Sequence, residues 1–158
     1  MSEKVLVFNE RYAFEAKGKK YCLKEISEND LEWIYDLMTN KTVREMCFSQ
    51  KEFSMAEHIA YWKKKLVQKK FKARAIWHEN KPVGLVRLDG NDISIAVKPD
   101  FWESGIAFNA LSQFDLSNFE ARVKPGNDSS LRLFKKLGFK EKFVKKKYIQ
   151  LEKEEKQK

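Results

Sequence analysis

The run Val123-Lys124-Pro125-Gly126-Asn127-Asp128-Ser129-Ser130-Leu131-Arg132-Leu133-Phe134-Lys135-Lys136-Leu137-Gly138-Phe139 holds a strand end, a capped helix and a helix stop in one stretch. Just upstream, Phe119, Ala121 and Val123 alternate as a half-buried strand does, and Pro125-Gly126 is a turn dipeptide. Asn127 or Asp128 then offers a side-chain oxygen to the free N–H groups that open a helix. Leu131, Phe134 and Leu137 recur at helical spacing with Leu133 beside them, and Gly138 stands where a left-handed C-cap residue is wanted. Strand, turn, helix and stop follow one another without a linker, so the region reads as part of a continuous α/β unit.

Working outward, Ser27 and Asp30 form a capping-box variant ahead of Leu31, Ile34, Tyr35 and Met38, which predicts a helix over roughly residues 28 to 39. Ser54 and Glu57 form a full capping box, and Ile59, Trp62 and Leu66 supply the apolar stripe of a second helix over roughly 55 to 68. Val5 and Val7 with Tyr12 and Phe14 suggest a leading hairpin, and 21 to 26 reads as a strand. Strands are also expected over 71 to 77 and 83 to 88, joined by Glu79-Asn80-Lys81-Pro82, and over 93 to 97, 119 to 124 and 143 to 151. A short helix is expected over 105 to 114.

This order of elements and the quoted run together resemble the GNAT superfamily of acyl-CoA-dependent N-acetyltransferases, from Tyr21 onward. The resemblance implies an α/β (α+β) fold, a mixed, mostly antiparallel, twisted sheet flanked by about four helices. It implies one domain over residues 1–151, followed by a charged tail, 152–158.

The totals agree with a single enzyme-sized domain. The 158 residues are 42% hydrophobic and 35% charged, a globular balance able to bury a core without metals or disulfides. No apolar run is long enough to cross a bilayer, the leading apolar stretch is only Val5 to Phe8, and a cytoplasmic protein is expected. Cys22 and Cys47 lie far apart with no His/Cys cluster, so they are expected to be core thiols, and no metal site is expected. The net charge of +9 attracts polyanions. Lysines gather over 63–72 and 140–147, but few of the aromatics that would stack bases and no nucleic-acid module accompany them. A solvated surface accounts for many of them, and phosphates of a cofactor or a nucleotide-linked substrate are the anions to expect.

The resemblance also assigns roles. Acetyl-CoA is the implied co-substrate, its pantetheine pairing with the strand Asp92 to Val97 where the family's fourth and fifth strands splay, so that Ile95, Ala96 and Val97 are the implied partners. Trp102-Glu103-Ser104-Gly105-Ile106-Ala107 matches the pyrophosphate loop, with Gly105 and Ala107 fitting the family pattern. Trp102 stands where the family has a basic residue and Glu103 adds a negative charge; Lys98, Arg132 and Lys135 are the cations that could compensate. Asn127, Ser130 and Phe134 fall on the helix that borders the pantetheine, and Asn127 is equally readable as a plain N-cap. Phe134 replaces the tyrosine that often serves as general acid, and it cannot donate a proton.

Amine acetylation needs a neutral amine and a route for its proton. Asp92 and Ser94 are the candidate catalytic residues, Asp92 as base, with turn chemistry in Gly90-Asn91-Asp92 as the competing account. The segment holding Arg44, His58 and Trp62 resembles that of acetyltransferases acting on nucleotide-linked amino sugars. Arg44 would meet a phosphate, His58 a proton and Trp62 a sugar or base. The expected partner is a small-molecule amine, with a ribosomal-protein-like N-terminus or a non-catalytic binding module as alternatives. A homodimer through Phe8, Phe14 or Phe114 is possible.

Overall fold

The computed structural model describes residues 12–49 and 51–155. Strands β1 (Tyr12–Ala16), β2 (Lys19–Glu25), β3 (Phe71–His78), β4 (Lys81–Asp89), β5 (Asp92–Val97), β6 (Glu120–Val123), β7 (Lys140–Val144) and β8 (Ile149–Glu152) form one sheet in the order β1-β2-β3-β4-β5-β6-β8-β7. Neighbours are antiparallel except β5 and β6, which run parallel. The α-helices among the described residues are α1 (Leu31–Thr39), α2 (Lys41–Glu45), α3 (Met55–Leu66), α4 (Ile106–Leu111) and α5 (Asp128–Lys136).

Side chains alternate across the strands, so each face of the sheet presents its own apolar layer. On one face Leu31, Ile34, Leu37, Val43 and Trp62 of α1 to α3 pack on Phe71, Ala73 and Leu85. On the other, Ile106, Leu111 and Phe134 of α4 and α5 pack on Val86, Leu88, Ile93, Ala121 and Leu151. Each fully buried aliphatic side chain contributes about 1.5–3 kcal/mol relative to an exposed one.

The caps act as the sequence predicts. Ser54 and Glu57 close a reciprocal box: the Glu57 N–H donates to Ser54 Oγ at 3.1 Å and the Ser54 N–H to Glu57 Oε1 at 2.9 Å. The Ser27 N–H donates to the Asp30 carboxylate at 2.8 Å, and a 3-10 turn, Glu28–Asp30, leads into α1. Asn127 Oδ1 accepts the Ser130 N–H at 3.2 Å, and Gly138 takes φ 98° to end α5.

Several expectations are corrected. The leading hairpin pairs β1 with β2 across Lys17-Gly18, while Val5 and Val7 lie outside the described residues. The strand expected over 143 to 151 is a hairpin, β7 and β8, because the lysine run at 145–147 stays in solvent and turns, the Lys145 N–H donating to Tyr148 C=O at 2.8 Å. Helix α2 was not anticipated; it is five residues long and stands on the Asn40 cap, whose Oδ1 accepts the Val43 N–H at 3.1 Å. The charged tail begins later than its composition suggests, since Glu152 is in β8 and Lys153 exchanges backbone bonds with Asn118 and Phe119. Phe14 is buried in the core, so it offers no dimer contact; Phe114 is half-buried and Phe8 lies outside the described residues. Cys22 and Cys47 are half-buried and are not joined in a disulfide. No helix among the described residues is long and apolar enough to cross a membrane.

Candidate active site

Strands β5 and β6 touch at one register pair, Asp92 opposite Glu120, closed by the Glu120 N–H donating to Asn91 C=O at 2.8 Å. Beyond it they part. The Lys98 N–H donates to Val83 C=O at 2.8 Å, and the register sets Ala96 against Leu85 and Ser94 against Arg87. Alternation along an antiparallel ladder then sends the backbone groups of the even-numbered residues to β4 and those of Ile93, Ile95 and Val97 toward β6. Of the three expected pantetheine partners, Ile95 and Val97 face the gap. Ala96 does not, because its N–H and C=O belong to the β4 ladder.

The loop that follows β5 closes the far end of this gap. Trp102 Nε1 donates to Val97 C=O at 2.7 Å, so the residue replacing the family's basic side chain ties the loop to the end of β5. Ser104 Oγ donates to Phe101 C=O at 2.5 Å. Glu103 and Gly105 adopt left-handed φ of 62° and 81°, and a Cβ on Gly105 would stand 3.3 Å from Asn109 Nδ2. Ile106 anchors α4 in the core, while Ala107 is half-buried. Lys17, from the β1–β2 turn, reaches across to donate to Glu103 C=O at 2.7 Å. The sequence reading missed this cation, which lies 86 positions away. Those it named are placed elsewhere: Lys98 lines a separate cleft with Lys24 and Trp33, Lys135 pairs with Glu141 at 2.6 Å, and Arg132 is exposed.

Asp92 lies at the pinch of the two strands. Burial pushes its carboxyl above the usual carboxylate range; Arg122 and Arg87 pull it back, and Glu120 and Asp89 push further. Ser94 is exposed beside Arg87. Arg87 went unnoticed in the sequence. Its guanidinium lies 5.4 Å from the Tyr61 ring, 5.5 Å from Trp62 and 5.7 Å from Phe71, it donates to the Tyr61 hydroxyl, and its Nε is buried without a hydrogen-bond partner among the described residues.

The residues expected to meet the acceptor sit differently. His58 is 3% exposed and Trp62 2%, so neither touches the gap. His58 Nε2 bonds Leu31 C=O at 2.8 Å, its ring contacts Tyr35, Phe53 and Trp62, and burial holds its pKa below the ordinary histidine value. Both side chains belong to the contact between α1 and α3, because the helical stripe that carries them faces inward. Arg44 donates to Lys51 C=O at 3.0 Å and lies over Phe53, tethering the segment between α2 and α3. Asn127 is committed at both ends of its amide, Nδ2 donating to Met46 C=O at 3.1 Å and Oδ1 capping α5. Ser130 is half-buried in the first turn, and Phe134 is buried against Phe139 with ring centroids 5.2 Å apart.

With this geometry in hand, comparison with known proteins decides the family. Residues 20–140 match the acetyltransferase (GNAT) domain. The chain belongs to the GNAT acetyltransferase family. It is therefore an N-acetyltransferase that draws its acetyl group from acetyl-CoA, which sets aside the non-catalytic alternative. No curated protein matches the sequence significantly. Among solved structures, the acetyltransferase is similar to spermidine N-acetyltransferase from Vibrio cholerae in complex with CoA and spermine, at 17% identity and TM-score 0.69 over 83% of this chain and 91% of that one. It is also similar to a domain from Methanocaldococcus jannaschii, at 23% identity and TM-score 0.72 over 84% and 97%. A third likeness is to an uncharacterized protein from Bacillus halodurans, at 14% identity and TM-score 0.71 over 92% of each chain. At these identities the likeness concerns the fold. In this chain the backbone groups of Ile95 face the gap, the Val97 carbonyl there accepts the Trp102 indole N–H, and Gly105 opens α4 with a left-handed φ of 81°.

Proposed function

We propose that the enzyme acetylates a small molecule bearing a primary amine, with Asp92 receiving the proton that the amine must shed. The observation that carries this is the position of Asp92, half-buried at the point where β5 and β6 separate, its carboxyl held above the usual range by burial. A carboxylate so raised is a better proton acceptor than a free one at the same pH. Ile95 through both backbone groups, and Val97 through its N–H, would hold the pantetheine, the Val97 carbonyl being taken by Trp102. Gly105 with its neighbours would receive the pyrophosphate, and Lys17 would supply positive charge nearby. When bound, the thioester supplies an activated acetyl group. Phe134 carries no proton to give, so α5 contributes no general acid at that position.

The acceptor to try first is the amino group of a nucleotide-linked amino sugar, as the sequence suggests. Support for it now comes from charge rather than from His58 and Trp62, which are committed to the core. A polyamine is the second reading, favoured by the carboxylates Asp89, Asp92 and Glu120, which act on one another near the pinch, and by the spermine bound to the Vibrio cholerae enzyme. Thiol release from acetyl-CoA, followed across a panel of amines, separates the two. Failure of every primary amine, with acetyl-CoA bound, would reject the small-amine reading.

A further inference from the structure

A cleft of about 570 Å³ opens between the segment joining α2 to α3, the end of β6 and the β7–β8 turn. Lys51, Lys124, Lys146 and Lys147 line it together with Phe48, and no acidic side chain is among its lining residues. Lys124 is fixed at the end of β6, its ammonium donating to Glu45 C=O at 2.7 Å. The cleft connects to the pinch of β5 and β6 through contacts on one face of the sheet. The Phe48 ring lies 5.4 Å from Tyr148, Arg122 lies over Tyr148 at 5.4 Å, and Arg122 pairs with Glu120 at 3.6 Å, opposite Asp92.

The two ends of this surface differ in charge balance. At the Asp92 end the carboxylates Asp92, Glu120 and Asp89 are matched by Arg122 and Arg87, whereas the cleft is lined by four lysines with no carboxylate among its lining residues. A cleft lined by one sign of charge concentrates counter-ions and repels molecules of its own sign. Its volume is that of a small-molecule site. Lysines act as point charges toward phosphate oxygens.

We infer that the acceptor is bipolar: its amine lies toward Asp92, and a phosphate or diphosphate group on the same molecule is held by Lys51, Lys124, Lys146 and Lys147. This rests on the acetyl-transfer reading of the gap, and it names the acceptor class as phosphorylated amines, against free polyamines. A polycation entering the cleft would meet four like charges.

The test separates the two readings. Inorganic pyrophosphate is titrated by calorimetry, at fixed ionic strength, into protein already saturated with coenzyme A, so that the donor's own phosphate site is filled. Saturable binding is expected, weakened tenfold or more in the Lys146→Ala/Lys147→Ala double variant. It should be unchanged in Lys63→Ala/Lys64→Ala, whose lysines lie on α3 away from the cleft. In parallel, kcat/KM is compared for glucosamine, its phosphate esters and spermidine. The phosphorylated amines should gain at least tenfold over the bare amine, through KM, and should lose that gain in the Lys146/Lys147 variant. No pyrophosphate binding, equal loss in both double variants, or spermidine as the best acceptor with no dependence on Lys146 and Lys147 overturns the inference. Lysine-dependent pyrophosphate binding beside full activity of Asp92→Asn would instead leave the cleft standing and reject the role given to Asp92.

Discussion

Trp102 donates its indole N–H to the carbonyl of Val97 at 2.7 Å, joining the loop before α4 to the last residue of β5. Where the family has a cation, this chain has a tether. The bond fixes the loop beside the strand edge, so its amide groups are positioned before any anion arrives, and pre-positioning lowers the cost of binding.

Replacing Trp102 by Phe keeps an aromatic ring and removes the donor. A neutral hydrogen bond contributes about 1 kcal/mol, so acetyl-CoA affinity is expected to fall roughly fivefold with kcat little changed. Calorimetry with acetyl-CoA on both proteins reads this directly. Tighter binding in the variant would mean that the indole competes with the pantetheine for the Val97 carbonyl.

Asp92→Asn is expected to lower kcat/KM about a hundredfold or more, the range for a lost general base. In the parent enzyme the rate should climb as pH rises through the elevated Asp92 pKa, because only the ionised carboxylate accepts a proton. The variant should lose that limb. Stability runs the opposite way. The folded state holds this proton more tightly than the unfolded chain does, so ionisation disfavours folding as pH rises above the unfolded value. The Asn variant should therefore melt no lower than the parent at neutral pH, as is common where a site stores an unfavourable group. A drop in both activity and melting temperature would point to a structural role for the carboxylate.

Much of this was legible from local sequence because caps and stripes are local. Ser54 with Glu57, Asn127 and Gly138 each report on neighbours within four positions, and each stands where the sequence puts it. The stripe through His58 and Trp62 also marked a helix face correctly, but periodicity does not say what covers that face. Here it is α1, and both side chains were lost to the site. The contacts that shape the loop before α4 and the cleft are non-local: Lys17 with Glu103, and Asn127 with Met46, 81 positions apart. Nothing in their spacing signals them. Likewise, the lysine run near the C-terminus reads as plain surface until the β7–β8 turn sets Lys146 and Lys147 across from Lys51 and Lys124.

His58 makes a separable prediction. It is buried neutral, its pKa depressed by burial. The unfolded chain takes up a proton first as pH falls, so this contribution to stability is complete above the unfolded value and is lost as pH drops below it toward the lower folded pKa. His58→Ala removes that acid sensitivity, and should cost about 2–3 kcal/mol for the lost packing and the bond to Leu31. Chemical denaturation between neutral and mildly acid pH measures both. The folded variant should keep its kcat, whereas loss of turnover at intact fold would restore His58 to the chemistry.

Gly105 combines two constraints that a substitution exposes together. Its φ of 81° costs an L-residue about 1–2 kcal/mol, and a Cβ would press on Asn109 Nδ2 at 3.3 Å, the atom that donates to Gly105 C=O at 2.7 Å. Gly105→Ala should therefore shift the loop as well as destabilise the fold, raising the KM for acetyl-CoA roughly tenfold with a smaller effect on kcat. Gly138→Ala is the control. It shares the left-handed backbone, at φ 98°, but its Cβ would meet only the flexible end of Lys153, and it lies at the far end of α5 from the Asn127 cap. That variant should lose comparable stability while binding acetyl-CoA as the parent does. Equal loss of acetyl-CoA affinity in both variants would trace the effect to global destabilisation and remove Gly105 from the donor site.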